Sequence, residues 1–319
     1  MNIKKYFKRE QSARKGLMAI EWVIIIYAAL TLLIVLFGIN KLQYPDAMIF
    51  DRLRMVAITL GMWAVYKLVP CRATRMLRVL MQFALIGWWY TDTYSINCLF
   101  PNLDHIFASL EQSLFGYQPA LIFCENYNQI WFSELMDMAY ASYFPIIAVV
   151  TLYYFFKRYK EFERTSFIII ASFFAFYVIY AFVPVTGPMY YYKAVGLSEI
   201  AHGSFPAIGD YFNTHLDMLE SPGYKDGIFY HIINNVHNAG ERPTAAFPSS
   251  HVGISLICMI LAWRSGSRRL FFILLPFAVL ICFATVYIRA HYVIDVFAGL
   301  IFGVVYYVLW SSVAKRLKL

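Results

Sequence analysis

The sequence predicts an all-α membrane protein with about eight transmembrane helices, on three observations: composition, apolar runs and charge placement. Hydrophobic residues make up 61% of the 319 residues and charged residues 14%, whereas soluble domains carry about 25% charged residues. The apolar runs do not alternate with the period of two that membrane β-strands show. A helix needs roughly 20 apolar residues to cross the hydrocarbon layer, so we take runs near that length as predicted spans.

Eight runs meet or approach this length. The second is short and contains Lys67, and the sixth is short and begins at a proline. The first follows a basic opening like that of a signal sequence, but it is too long and has no small-residue cleavage site after it. We therefore expect an uncleaved anchor. In chain order the predicted spans are 17–39, 53–69, 76–96, 130–156, 166–183, 248–263, 270–287 and 292–313.

The placement of Lys and Arg predicts that both termini lie in the cytoplasm. Of the 27 basic residues, twenty fall in the two terminal tails and in the segments 67–78, 157–164 and 264–269. With eight spans these five regions share one face, as the positive-inside rule requires, and seven spans would break that pattern. The net charge of +8 therefore reflects topology, and we expect no nucleic-acid partner.

Two outward segments are long, at 97–129 and 184–247. In the first, apolar residues recur at helical spacing over 106–115, between Pro101 and Pro119, which predicts a helix lying in the membrane interface. The second is rich in Gly, Pro, Asn and His. A segment of this length is either a functional lid over a membrane-embedded site or a poorly ordered loop.

The five cysteines do not have the spacing of metal ligands. Cys98 and Cys124 share the first outward segment, where an oxidising compartment would permit a disulfide. The sequence alone leaves both states open, because it does not give the geometry that a disulfide needs.

The clearest chemical feature is a histidine and an aspartate at the start of the last span. His291 and Asp295 stand four residues apart, so they share one face of the predicted helix. A carboxylate there would orient the imidazole and leave its other ring nitrogen free to attack. Gly299 and Gly303 continue the same face and would let a neighbouring helix approach closely. The alternative is a structural His–Asp pair between helices.

The segment 246–251, Ala-Phe-Pro-Ser-Ser-His, is a second candidate element. Pro248 suits a helix start, and Ser249 or Ser250 can cap that helix. The first amides of the helix could then bind phosphate, with His251 beside them. The alternative is an ordinary cap with a satisfied histidine. Both elements lie at outward ends of predicted spans and are separated by one helical hairpin, which would bring the two histidines to one depth.

Together these motifs resemble the type 2 phosphatidic acid phosphatase superfamily, and most closely its inositol phosphorylceramide synthase branch. The resemblance rests on segment 246–251 and on His-Tyr-x-x-Asp-x-x-x-Gly at 291–299, about 40 residues later. The motifs Leu-Phe-Gly at 114–116, with Pro119, and Pro184 with Gly-Pro at 187–188 are also similar to that branch.

The resemblance covers roughly residues 72–313 and implies a domain arrangement. Residues 71–319 would form a six-helix catalytic core that carries the two outward segments. Residues 1–70 would form a basic tail and two accessory transmembrane helices.

The resemblance also implies a role for three residues. His291 would be the nucleophile that forms a phosphohistidine, and Asp295 would orient it. His251 would be the general acid that protonates the departing alkoxide and later the base on the acceptor hydroxyl. No metal or other cofactor is implied, because cationic side chains and backbone donors can stabilise the phosphoryl charge.

The basic residues that clamp a terminal phosphate in phosphatases of this superfamily are incomplete in this chain. Asn235 stands where they carry a lysine, Thr285 replaces an arginine, and Ser250 replaces a glycine. Arg242 and its following proline lie only a few residues before Pro248. A phosphodiester has less charge to neutralise than a phosphomonoester, so these departures favour a transferase.

Seven residues are candidates for binding phosphate or headgroup. For the three basic members a surface or membrane-headgroup contact is the alternative, and for the two aspartates the alternative is hydrogen bonding between helices. The candidates are Ser249, Ser250, Arg242, Arg289, Lys193, Asp92 and Asp137.

The resulting hypothesis is a lipid phosphotransferase of sphingolipid synthesis. A phospholipid donor such as phosphatidylinositol would pass its headgroup phosphate through a phosphohistidine to ceramide or another lipid alcohol. We expect the protein in a bacterial inner membrane, with its site on the outward, periplasmic face. The alternatives are a lipid phosphate phosphatase of the same superfamily and a non-enzymatic lipid transporter or scaffold.

Overall fold

The computed structural model describes residues 4–11 and 13–319, so residues 1–3 and 12 of the predicted basic tail lie outside it, as do the side chains of residues 238 and 239. The protein is all-α, 73% helical. Within the described ranges there is no strand, only an isolated bridge between Arg9 and Cys71. The predicted fold class is confirmed at this level.

Fifteen α-helices occur along the described chain. Two single 3₁₀ turns, Tyr159–Glu161 and Tyr211–Asn213, lie between them. The helices are α1 Lys4–Phe7, α2 Ala19–Phe37, α3 Pro45–Leu68, α4 Arg72–Asn97, α5 Asp104–Phe115, α6 Pro119–Asn126, α7 Ile130–Ala141, α8 Tyr143–Lys157, α9 Phe162–Phe182, α10 Pro188–Val195, α11 Leu197–Ala201, α12 Ile228–Gly240, α13 Ser250–Arg264, α14 Arg268–Tyr287 and α15 Val293–Arg316.

Four segments are long and apolar enough to cross a membrane, and the described chain has a fifth if a bent pair counts as one span. The four are α2, α9 with its preceding turn, α14 and α15, and the bent pair is α7 and α8. This makes the chain an integral membrane protein. The count of eight crossings stays a prediction.

The predicted span 130–156 is not one straight helix. It breaks at Ser142, where α7 and α8 meet at 44°. Pro145 lies in the first turn of α8. Proline has no amide hydrogen to donate, and its ring clashes with the carbonyl four residues earlier, in this case that of Ala141, which is where the helix bends.

Helices α3 and α4 are long but carry charged residues within their length, which is why they differ from the more apolar spans. Arg52 of α3 makes a bidentate pair with Asp92 of α4, at 2.7 and 3.1 Å. Arg78 of α4 makes another with Glu21 of α2, at 2.5 and 2.6 Å. All four side chains are buried, so these charges are satisfied between helices rather than exposed to lipid.

The basic connections meet at one end of the helix bundle. The Glu10 carboxylate accepts hydrogen bonds from Arg75 at 3.0 Å and from the Tyr159 hydroxyl at 2.8 Å. Arg158 donates to the Ser265 carbonyl at 2.8 Å. These contacts join the N-terminal tail to the α3–α4, α8–α9 and α13–α14 connections.

The opposite end carries the outward segments. The helix predicted over 106–115 is α5, whose residues Ile106, Leu110 and Leu114 are exposed. Its first residue, Asp104, is buried and accepts hydrogen bonds from the Thr186 amide at 2.7 Å and the Gly187 amide at 2.9 Å. The buried carboxylate therefore ties the first outward segment to the start of the second.

Cys98 and Cys124 are both free thiols, so the disulfide that an oxidising compartment would permit is not formed. Cys98 ends α4, whereas Cys124 lies in α6 and accepts a hydrogen bond from Arg289 at 3.1 Å. Cys124 is thus engaged with the loop before α15.

Candidate active site

Helices α13 and α15 begin side by side, and glycines permit this. An added Cβ at Gly299 would lie 2.5 Å from the Ser249 carbonyl oxygen, and one at Gly303 would lie 2.8 Å from that of Gly253. Only hydrogen fits at these positions, so the two backbones approach closely. The close approach predicted for the Gly299–Gly303 face occurs, and its partner is the first turn of α13, which carries His251.

Protein groups already occupy part of the first turn of α13. The Ser249 side chain caps the helix by accepting from the Val252 amide at 3.4 Å, and the Ser249 amide donates to the Asp295 carbonyl at 3.0 Å. The Ser250 amide donates to the Tyr180 hydroxyl at 3.0 Å. The Ser249 and Ser250 amides therefore already have protein partners and Ser249 is a buried cap, while phosphate binding by either serine stays a prediction.

His291 lies in the short connection before α15 and is only 4% exposed. Its Nδ1 lies 2.7 Å from the Ala246 carbonyl oxygen. A carbonyl only accepts, so Nδ1 carries the proton and Nε2 presents a lone pair. Burial lowers the pKa of His291 to about 4, which keeps the ring neutral near pH 7. His291 thus has one ring nitrogen fixed by a hydrogen bond and one with a free lone pair.

Asp295 lies farther from the His291 ring than a residue that orients the ring through a hydrogen bond would. Its Oδ2 lies 3.6 Å from Nδ1 of His291, farther than the Ala246 carbonyl. The same oxygen accepts the Tyr292 amide at 2.8 Å. Asp295 is the third residue of α15 and caps that helix, which holds it back from the ring. The Ala246 carbonyl orients His291, and the Asp295 carboxyl group lies next to the same ring nitrogen.

His251 meets His291 across the gap between the two helices. Its Nδ1 lies 3.5 Å from Nε2 of His291. The His251 ring stacks on Tyr140, with centroids 4.6 Å apart, and lies 4.3 Å from the Tyr143 ring centroid. The bend between α7 and α8 falls between these two tyrosines, so the broken span places both aromatic rings on His251.

Glu111 is a site residue that pattern reasoning missed. Its carboxylate is buried and accepts hydrogen bonds from the Val293 and Ile294 amides, the latter at 3.2 Å, at the N-terminus of α15. Acceptors are stabilised at this end of a helix. Burial raises the pKa of Glu111 to about 8. Glu111 therefore positions the helix that carries Asp295, and its only sequence signal was a polar residue in the amphipathic α5.

Glu241 is a second residue that the sequence did not indicate. Its carboxylate accepts a hydrogen bond from the Tyr90 hydroxyl. Burial raises the pKa of Glu241, although the Tyr90 hydrogen bond and the nearby His291 and Arg242 oppose that rise. The structure thus brings an acidic group close to His291, where the sequence had indicated only basic candidates.

The basic headgroup candidates are dispersed. Arg289 has φ +66° and donates to Cys124, while its carbonyl accepts the Met189 amide at 2.7 Å. Arg242 donates to the Glu241 carbonyl at 3.2 Å. Lys193 is exposed near the end of α10. None of them makes a hydrogen bond to His251 or His291 within the described part of the chain.

The two acidic candidates have protein partners. Asp92 is paired with Arg52 of α3, although it also lines an open cleft of about 650 Å³ with Arg242. Asp137 accepts a hydrogen bond from Ser221 at 3.5 Å. An arginine already holds both oxygens of the Asp92 carboxylate, as the alternative of bonding between helices expects, and headgroup binding by Asp92 stays a prediction. Among the described residues no three His, Cys, Asp or Glu side chains are grouped as metal ligands are.

A family model covers the part of the chain that carries His251 and His291. The family model described as PAP2 superfamily matches residues 105–309, more than half of the chain and all the elements from α5 to most of α15. The chain belongs to the PAP2 superfamily. Members are generally enzymes that act on phosphate esters, and this membership places the protein among lipid enzymes of the phosphatase or phosphotransferase type. No curated protein and no solved structure matches the chain.

Proposed function

We propose that this protein is a phosphotransferase that moves the headgroup phosphate of a phospholipid, with phosphatidylinositol as the donor we favour, to ceramide or a similar lipid alcohol. One observation carries the proposal. His291 has its Nδ1 fixed by the Ala246 carbonyl, and its free Nε2 lies beside His251. A neutral, oriented imidazole next to a second imidazole is the arrangement that covalent phosphoryl transfer with acid–base assistance requires.

The first half-reaction forms a phosphohistidine. Nε2 of His291 attacks the phosphorus of the donor, and the bond from phosphorus to the diacylglycerol oxygen breaks. His251 enters this step as the imidazolium, a form that the phosphate charge of the bound donor stabilises, and it gives its proton to that oxygen, so diacylglycerol leaves as a neutral alcohol. The His291 ring becomes cationic because Nδ1 keeps its proton, and the Asp295 carboxylate at 3.6 Å stabilises that charge.

The second half-reaction restores the enzyme. The hydroxyl of the acceptor lipid attacks the phosphorus, and His251, now neutral, takes the hydroxyl proton. The phosphorus–nitrogen bond breaks, and His291 returns to its neutral form. Water in place of the lipid alcohol would turn the same steps into hydrolysis.

The charges around the pair favour a phosphodiester over a phosphomonoester. Thr285, at the place of a clamping arginine in the phosphatases that the chain resembles, is buried and donates its hydroxyl to the Cys282 carbonyl. Asn235, at the place of a clamping lysine, is exposed on α12. Glu241, an acidic group, lies near the histidine pair instead. A singly charged diester fits these surroundings better than a dianionic monoester does.

The topology belongs to the same proposal. Eight crossings with both termini in the cytoplasm would place the basic end of the bundle inside and the histidine pair outside. Helix α13 supports this, because His251 lies in its first turn and Arg264 in its last. We therefore place the site at the outward face of a bacterial inner membrane. Residues 1–70 would be accessory and 71–319 the catalytic core.

The deciding experiment supplies purified protein with phosphatidylinositol labelled in the headgroup and with ceramide, and identifies the products. We expect inositol phosphorylceramide and diacylglycerol in equal amounts. Inorganic phosphate released from a lipid phosphomonoester, without any phosphosphingolipid, would identify a phosphatase instead. Lipid movement across vesicle membranes without any chemical product would identify a transporter.

A further inference from the structure

A third histidine, His237, lies close to the histidine pair, on helix α12 in the second outward segment. One side of this helix is apolar and exposed, with Ile228, Ile232 and Val236 at 73%, 44% and 54% exposure. The other side is buried and carries Ile233 and His237. Exposed apolar residues at four-residue spacing form one ridge on the helix. The ridge therefore points away from the protein, and His237 points toward it.

Helix α12 is held in this orientation at its N-terminus. The Glu134 carboxylate of α7 accepts the Phe229 and Tyr230 amides, each at 3.2 Å. A carboxylate at a helix N-terminus satisfies amides that have no partner within the helix. Helices α7 and α12 therefore pack as a unit, and α7 is also the helix that presents Tyr140 to His251.

The His237 ring is buried without a hydrogen-bond partner on Nε2. The side chain is 4% exposed, and Nε2 has no partner among the described residues. The Tyr140 ring lies 6.3 Å from the His237 ring and 4.6 Å from the His251 ring, centroid to centroid. Tyr140 thus links the two histidines. A buried polar atom without a partner is costly, so a ligand is expected to satisfy it.

The surroundings of His237 indicate an uncharged polar ligand. Burial lowers the pKa of His237 to about 4, so the ring is neutral and does not attract a phosphate as a cation would. Glu241 follows one turn later, with the Tyr90 hydroxyl bonded to it. A neutral imidazole nitrogen can accept from or donate to a hydroxyl group without a charged partner, so His237 suits a hydroxyl better than a phosphate.

We propose that Nε2 of His237 hydrogen-bonds a hydroxyl group of a substrate lipid, an inference that rests on the proposed function. The hydroxyl group would lie against Tyr140, beside the histidine pair. The hydroxyl has two sources, the polyol headgroup of the donor and the alcohol of the acceptor. Both present the same chemistry to His237, and kinetics with each lipid varied in turn separates them.

The test compares three substitutions of His237 that differ in the group they bring to the position of its Nε2 atom. Glutamine extends its amide toward that position, asparagine reaches only as far as Nδ1, and phenylalanine keeps a ring without hydrogen bonds. We expect His237→Gln to stay near wild type, whereas His237→Asn and His237→Phe raise the KM for one of the two lipids roughly 3- to 10-fold. The kcat should change less than the KM.

His231 provides the matched control, because it is an exposed histidine on the same helix. His231→Gln should leave both KM values unchanged. A rise confined to the donor KM assigns the hydroxyl to the headgroup, and a rise confined to the acceptor KM assigns it to the acceptor alcohol. Either result supports a substrate contact.

Two results would overturn the inference while the proposed function stands. One is wild-type KM values in all three His237 variants. The other is an equal loss in all three, the glutamine variant included, together with an equal loss of thermal stability, which would mean a structural role. Failure of wild-type protein to form any product from phosphatidylinositol and ceramide would instead overturn the proposed function, and this inference with it.

Discussion

Two regions of the molecule contain buried polar groups whose partners differ. Between α2, α3 and α4 the buried charges form bidentate pairs, Arg52 with Asp92 and Arg78 with Glu21. Around the histidine pair, Glu111 and His237 have no partner of opposite charge, and His237 Nε2 and one oxygen each of Glu111 and Asp295 have no hydrogen-bond partner among the described residues. Nη1 of Arg78 also has no partner among them, so unpartnered atoms alone do not distinguish the two regions. The difference is that the charges of the first, paired region neutralise each other, whereas Glu111 and His237 of the second region have no such partner within the described ranges.

The largest expected effect comes from removing His291 of the histidine pair. Because Nε2 of His291 is the proposed nucleophile, His291→Ala should lower the transfer rate by more than roughly 10⁴-fold. Initial rates of labelled product formation measure this, and size-exclusion profiles check that the protein stays folded. His202→Ala is the control, since His202 is exposed in the second outward segment. Transfer that persists without His291 would remove the nucleophile from the proposal.

The next effect belongs to the paired region and should appear in stability alone. Arg78→Ala leaves Glu21 buried without its partner, and we expect a loss of about 3–5 kcal/mol. Thermal unfolding in detergent gives the change, and transfer activity per folded molecule should stay at the wild-type level.

A double variant sharpens that comparison. Arg78→Met combined with Glu21→Leu removes both charges and should recover most of the lost stability, because well-packed apolar residues often replace a buried pair at little cost. Lower activity in a fully stable Arg78 variant would show that the paired region also takes part in catalysis, and the contrast between the two regions would then fail.

A smaller effect distinguishes the roles of Asp295 and the Ala246 carbonyl, the two groups near Nδ1 of His291. Asparagine at position 295 keeps an oxygen for the Tyr292 amide but removes the negative charge. Since the Ala246 carbonyl still holds Nδ1, we expect Asp295→Asn to lower kcat about 10- to 100-fold with little change in KM or thermal stability. A loss as large as that of His291→Ala would mean that Asp295, and not Ala246, fixes the ring.

The smallest effect concerns pH. The proposed nucleophile must be neutral, and burial lowers the pKa of His291 to about 4. Transfer should therefore decline on the acid side with a midpoint near pH 4, below the value of about 6.5 for an unperturbed histidine. The same shift makes the unfolded chain bind the proton more readily than the folded chain, so His291 contributes stability that is lost as pH falls from about 6.5 to 4. An acid midpoint near 6.5 would contradict the buried, neutral ring.

Local patterns predicted part of this arrangement well. Apolar runs gave helices at each of the eight predicted spans, and the four-residue spacing of Gly299 and Gly303 indicated a close helix contact, which occurs. The family followed from motifs at 246–251 and 291–299, which lie within the matched region. These features depend on residues near one another in sequence, so a periodic pattern is enough to find them.

The remaining features depend on partners far away in the chain. The group that orients His291 is a backbone carbonyl 45 residues earlier, and a carbonyl has no residue type by which a sequence could reveal it. Glu111 lies 182 residues from the amide it accepts. The pairing of Asp92 with Arg52 likewise required the packing of α3 on α4. Sequence patterns alone could not have separated these long-range contacts from surface residues.

The most direct measurement uses the first half-reaction alone. Protein is incubated with phosphatidylinositol labelled at its phosphate, without acceptor, and the bound label is mapped by peptide mass spectrometry. We predict an acid-labile, alkali-stable label on His291 that moves into inositol phosphorylceramide when ceramide is added. Absence of a phosphorylated His291, or label that passes to water-soluble products while ceramide is present, would contradict lipid phosphotransfer through this residue.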